Sequence, residues 1–374
     1  MTTLADLVQQ PIPKDEQSDR QSVRVQAKAQ FDHLGFPTSK WENWKYVDID
    51  SLLSQSIGGF KPSTVTVTGY DVGSSMSDLA LGCDTSPFSY LNTAYFTDST
   101  DLIIDQTVDQ PIVIEYQPSQ WCYSRFNIRV AKGVSATIFL RSLPEQVGFE
   151  NRFIDIALAE HASLSLIQSD VGIGGHQLSS LMVSLQESSQ FDTNAYVNGL
   201  LLGRRDTQVD FYGENATAAL RGVGLHRDQQ QYFNHLTINH HVGNCNCEQQ
   251  FKTILTDKAI AEFSGLVFVE KKAHGTDSSQ LNETLLLSDY ARALSRPQLR
   301  IDADDVECAH GATVGQLNPE EIFYVRSRGL TEYAAKQMLT YGFAESVLNH
   351  IDDSAIKKQL LIALKKEVQG YVQD

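Results

Sequence analysis

Gly133-Val134-Ser135-Ala136, Glu160-His161-Ala162-Ser163-Leu164, Glu187-Ser188-Ser189-Gln190-Phe191 and Glu214-Asn215-Ala216-Thr217-Ala218 are four versions of one phrase. Each reads as a turn feeding a strand. The apolar residues that follow the turns, Ala136, Leu164, Phe191 and Ala218, recur after 28, 27 and 27 residues. A unit of this size buries its apolar face only by stacking on its neighbours, which is the logic of a solenoid. With strands as the units, the expected fold is mainly β, a right-handed parallel β-helix (β-solenoid) with helical segments at both ends. A β-sandwich also shows short strands at regular spacing, but the period near 27 residues favours the β-helix.

Short alternating stretches on either side fit the same reading: Ile112-Val113-Ile114, Ile128-Arg129-Val130, Ile154-Asp155-Ile156 and Leu164-Ser165-Leu166. No proline falls between Pro144 and Pro297, and no long helical pattern does either. Upstream, Lys14 to His33 reads as a polar helix ended by Gly35 and Pro37, with Val23, Ala27 and Phe31 at helical spacing. Trp41, Trp44 and Tyr46 then form an aromatic anchor for the N-terminal segment. Residues 58 to about 100 read as loop-rich with a few short strands. Downstream, Asn318-Pro319-Glu320-Glu321, Thr331 and Asp353 are helix starts, and Ile356, Leu360, Leu364 and Val368 share one helical face. These helices are expected to cover the open end of the solenoid or to dock a partner. The expected organisation is an N-terminal helical segment over 1–57, a β-helix with a loop-rich entry over 58–316, and a helical domain over 317–374.

The 374 residues carry a net charge of −16, which argues against nonspecific binding to nucleic acid or anionic membrane. The start Met1-Thr2-Thr3-Leu4 lacks the order of a signal peptide, and no apolar run approaches a membrane span. Five scattered cysteines make a poor disulfide framework and point to a reducing cytoplasm.

Two stretches hold soft ligands. In Cys308-Ala309-His310-Gly311, thiol and imidazole stand two residues apart, so on a strand they share a face and could aim at a metal or a partner chain. A zinc site needs four ligands, and a buried cysteine often only packs. In His240-His241-Val242-Gly243-Asn244-Cys245-Asn246-Cys247 there is no C-x-x-C pair, and the favoured reading is a corner with histidines hydrogen-bonded along the solenoid. His226, His235 and His274 read as structural. There is no phosphate loop and no G-x-S-x-G elbow.

Pro297-Gln298-Leu299-x-Ile301-x-Ala303-Asp304-Asp305-Val306-x-Cys308-x-His310-Gly311-Ala312-Thr313-x-Gly315, followed by Phe323-Tyr324-x-Arg326-Ser327-Arg328-Gly329, closely resembles the C-terminal signature of the SufB/SufD family. Leu285-Leu286-Leu287-Ser288, Phe263-Ser264-Gly265, Phe343-Ala344-Glu345 and Trp44-Lys45-Tyr46 add to the likeness. Cys308-x-His310-Gly311 is SufD-like, whereas SufB usually has Glu where Gly311 stands. Cys245 and Cys247 depart from the family pattern.

The resemblance implies a non-enzymatic subunit of the SUF scaffold that supports iron–sulfur cluster assembly and iron acquisition. It would pair with a SufB-like subunit and bind a SufC-like ABC ATPase through its C-terminal helices. His310 and Cys308 would face the SufB interface, where a cluster forms transiently. Ile322, Phe323, Tyr324, Phe343 and Leu348 would serve partner binding. The isolated chain is expected to hold no cofactor, and a homodimer is allowed for it. Two readings from other classes are a carbohydrate-active β-helix enzyme, suggested by Asp302, Asp304 and Asp305, and a structural β-helix homodimer without a metal role.

Overall fold

The computed structural model describes residues 2–372 apart from 58, 74, 75, 77 and 146; the last two residues, Met1 and those points of the loop-rich entry lie outside the description. Strands from Asp98–Ile104 to Val306–Gly315 alternate strictly between two sheets. One sheet has eight strands and runs from Asp98–Ile104 to Arg292–Ile301. The other has nine and runs from Thr64–Thr68 to Val306–Gly315. Neighbouring strands in each sheet are parallel, except that Thr64–Thr68 lies antiparallel to Ile112–Gln117. This is the expected parallel β-solenoid.

The repeat is visible in the register. Ala136, Leu164, Phe191 and Ala218 are successive Cα partners, and the column continues through Cys247, Ser278 and Cys308. Three residues before each column member from Ala136 to Ser278 the backbone turns left-handed. Gly133 (φ 69°), His161 (58°), Ser188 (55°), Asn215 (60°), Asn244 (58°) and Gly275 (70°) occupy this place. Only glycine takes that conformation without steric cost, and Asn is next best. Hydrogen bonds between coils hold it: the amides of Gly133, His161 and Ser188 donate to the carbonyls of Glu160, Glu187 and Glu214 at 3.0, 2.8 and 2.9 Å. The turn phrase is thus the corner of the solenoid.

Between the sheets lies an apolar core that includes Leu164, Leu166, Leu181, Val183, Phe191, Leu220 and Ile238. Each sheet also has an outer face, and both are covered. Phe31, Trp44, Phe88 and Leu91 pack on Tyr123, Phe149, Leu178 and Phe233 of the eight-stranded sheet. Trp44 is fully buried; its Nε1 donates to the Thr85 carbonyl at 3.0 Å, and the Arg204 guanidinium lies 3.5 Å above its ring. That is the aromatic anchor. The helices Glu332–Leu348 and Ser354–Tyr371 lie along the nine-stranded sheet, with Leu348, Leu360, Leu364 and Val368 against Ile167, Tyr196, Val223 and Ile254.

Two expectations need correction. The C-terminal helices flank the solenoid and do not cover its open end. The loop-rich entry contains a helix, Pro87–Tyr95, in which every residue is buried. A helix buried all round has no polar face, so the periodicity that betrays a surface helix is absent.

Candidate functional site at the open end

The solenoid stops on Arg292–Ile301 and Val306–Gly315, each paired on one side only among the described residues. Side chains along a strand alternate between faces. Cys308 continues the inward column after Cys247 and Ser278, and His310 continues the next one after Leu220, Gln249 and Gln280, all buried. Thiol and imidazole therefore both belong to the interior face of the last rung. No further coil follows, so Cys308 is half-buried and His310 is exposed. Burial pushes the Cys308 thiol above its ordinary value, and the Asp277 carboxylate adds to this. It is a neutral thiol until a cation or metal favours the thiolate.

The interior changes character on the way to this end. The penultimate strand presents Ser278, Gln280, Asn282 and Thr284 inward, where earlier coils present Leu164 and Leu166 or Phe191. Gln280 donates to Gln249 Oε1 at 2.8 Å, and Asn282 donates to Ser295 Oγ at 3.0 Å. The sequence motifs do not single these residues out. The available signal was Thr276-Asp277-Ser278-Ser279-Gln280, a strand without an apolar inward residue.

Among the described residues, no three His, Cys, Asp or Glu side chains converge as a metal site would require. The stretch from His240 to Cys247 is structural. The His240 ring is buried and stacked on Phe211 at 4.4 Å, not hydrogen-bonded as expected, and burial pushes its pKa down to about 4. His241 is hydrogen-bonded to Glu270 at 2.6 Å and Asp210 at 3.1 Å. Cys247 is buried in the inward column, and the Cys245 thiol donates to the Gly213 and Gly243 carbonyls at 3.4 and 3.3 Å. Asp302, Asp304 and Asp305 form an exposed corner, where Asp302 pairs with Arg300 at 3.6 Å and the Asp305 carbonyl accepts the Gly275 amide.

Beyond the last strand, Asn318 caps the helix Pro319–Ser327 by accepting from the Glu320 amide. None of its residues is buried; Phe323 is 73% and Tyr324 59% exposed. Ile322 and Phe343 are half-buried, with Lys252 Nζ 4.6 Å above the Phe343 ring. Leu348 is fully buried against the nine-stranded sheet, so it packs the helix and presents nothing to a partner. A groove of about 570 Å³, lined by Val314, Leu317, Met338 and Phe343, joins the end strand to the helices.

The sequence profile described as "SUF system FeS cluster assembly, SufBD core domain" matches residues 113–343, more than half of the chain. The chain belongs to the SufB/SufD family. It lies on the SufD branch: it is 27% identical over 403 aligned residues to the iron–sulfur cluster assembly protein SufD of Escherichia coli K12, covering 95% of each chain. It is 33% identical over 294 residues to an iron–sulfur cluster assembly SufBD family protein of Synechocystis, covering 73% of this chain and 64% of the relative. A SufD of Bacillus subtilis is 30% identical over 165 residues, 44% of this chain and 38% of that one. The matched region contains Cys308, His310 and the groove. Among the described residues, no helix is long and apolar enough to cross a membrane.

Proposed function

We propose that this chain is the SufD-like, non-enzymatic subunit of a cytoplasmic SUF scaffold complex. The open end of the solenoid pairs with a SufB-like subunit. The C-terminal helices bind a SufC-like ATPase. The observation that carries the reading is the coincidence, at one end, of two unpaired strand edges with an inward-facing thiol and imidazole. Unpaired edges are templates for strand addition, and a monomer that leaves them bare has a partner to place there. Cys308 and His310 supply two ligands, and an iron–sulfur cluster needs more. The remaining ligands then come from across the interface, where a cluster as cargo is held transiently. Exposed Phe323 and Tyr324, with half-buried Ile322 on the same helix and Phe343 at the groove, are the anchors for the ATPase, as aromatic residues often are at interface centres. In functional terms the parts are 1–57, 58–316 and 317–374.

Co-purification with SufB-like and SufC-like partners tests this. Ala309→Lys with Ala312→Lys charges exposed positions of the last rung that do not line the groove, and should weaken SufB capture tenfold or more, about 1.4 kcal/mol, while SufC is retained. Phe323→Ala with Tyr324→Ala should do the opposite. Unchanged capture of both partners by both variants would overturn the assignment of the surfaces.

A further inference from the structure

We propose that Gln280 is a positioning residue for His310. It would set which ring nitrogen of His310 keeps its lone pair free at the open end. The inference rests on the reading of His310 as a ligand given above.

Gln280 is the Cα partner of His310, one rung deeper in the same inward column. Adjacent rungs stand about 4.8 Å apart, so the two side chains are within reach of each other. Gln280 is 2% exposed, and its amide is oriented by what lies beneath it. Nε2 donates to Gln249 Oε1 at 2.8 Å. With the nitrogen turned toward the rung of Gln249, the carbonyl Oε1 is left for the rung of His310. That oxygen is buried and accepts no hydrogen bond. Buried acceptors are nearly always satisfied; Oε1 has no partner in this structure, His310 included, and the exposed His310 ring one rung above is the donor that a turn of the ring would bring to it. Gly265 makes room for this arrangement: a Cβ there would stand 2.1 Å from Gln280 Nε2.

A neutral imidazole has one N–H and one lone pair. When Gln280 Oε1 accepts the N–H, the lone pair of the other nitrogen is directed away from the interior, out of the open end. Histidines that ligate metals commonly donate their other ring N–H to a carbonyl or carboxylate in this way. Gln249 fixes Gln280, and Gln280 fixes His310. The Gln249–Gln280–His310 column thus works as a relay of orientation from the closed interior to the exposed rung.

The test reads the tautomer of His310 by nitrogen NMR of the full, isolated chain labelled at histidine, with His310→Gln to identify the signals. Wild type should show one dominant tautomer. Gln280→Met keeps the length but removes the acceptor, and should move the balance about fivefold toward that of a free imidazole, the worth of one net hydrogen bond. Gln280→Glu restores an acceptor and should restore the single tautomer. Gly265→Ala displaces the amide and should repeat the loss without touching His310. A Gln280 that only fills space would change melting and leave the tautomer alone. An unchanged balance in both Gln280→Met and Gly265→Ala overturns the proposal, whatever their melting temperatures. Iron and sulfide in the complex of His310→Ala keep the two readings apart. Lost clusters with a tautomer indifferent to Gln280 reject the positioning role and uphold the ligand. A tautomer governed by Gln280 with normal clusters in His310→Ala does the reverse.

Discussion

The two ends of the solenoid are built from the same coil and finished in opposite ways. At the first end, Thr64–Thr68 caps the nine-stranded sheet by antiparallel pairing, and the chain near Gly73 and Met76 bonds to Asp101 over the eight-stranded sheet. Its interior is apolar, with Ile112, Ile114, Ile138 and Leu140 buried. At the last end, none of the described residues pairs with Arg292–Ile301 or Val306–Gly315 on their outer sides, and the interior turns to Gln249, Gln280 and His310. A closed end contributes stability. An open end with a polar interior leaves hydrogen-bonding groups for a partner. The contrast supports the proposal that the last rung is the interface, without appeal to any one residue.

Substitutions along the inward columns sharpen that contrast. Phe191 is 2% exposed in the column that ends at Cys308, and Phe191→Ala should cost about 3–5 kcal/mol in chemical unfolding. Val314 is inward by register but 47% exposed on the last rung, and Val314→Ala should stay within about 0.5 kcal/mol. Equal costs would mean that the last rung is as much core as the coils beneath it.

Histidine offers a second comparison, with a smaller effect. His226 and His240 are buried inside the solenoid, stacked on Tyr232 at 4.7 Å and Phe211 at 4.4 Å. Burial pushes their pKa values down to about 3 and about 4. Both are neutral in the fold, whereas the unfolded chain takes up protons near pH 6.5. Stability from these rings is therefore present above pH 6.5 and is lost as pH falls toward 4. The loss is about 2 kcal/mol per ring at pH 5. His226→Phe with His240→Phe should flatten the fall in melting temperature between pH 7 and pH 5. An equally steep fall would show that carboxylates alone control acid stability.

Much of this was legible in the sequence because the signals are local. The corner requires a left-handed residue, so Gly133, His161, Ser188 and Asn215 repeat with their coils. The period then lengthens: Cys247, Ser278 and Cys308 follow Ala218 after 29, 31 and 30 residues, which hid the continuation of the column. Strand alternation put Cys308 and His310 on one face, and the register agrees. The helix Pro87–Tyr95 was not legible, because total burial erases periodicity. The apolar face of the last helix was, but a pattern does not say what a face meets. For that reason the pattern allows the helices either to cover the open end or to dock a partner, and leaves Leu348 among the contact residues, whereas in the fold it packs on the solenoid. Gln280 escaped because an inward amide matters only once its neighbours above and below are known.

The central claim is that His310 works at an interface and not in the core. It is tested by His310→Ala measured twice: the melting temperature of the isolated chain, and the iron and sulfide bound by the complex with SufB-like and SufC-like subunits. The account predicts melting like wild type, within about 0.5 kcal/mol, with a severalfold loss of bound iron and sulfide. Wild-type iron and sulfide in an intact complex would contradict it.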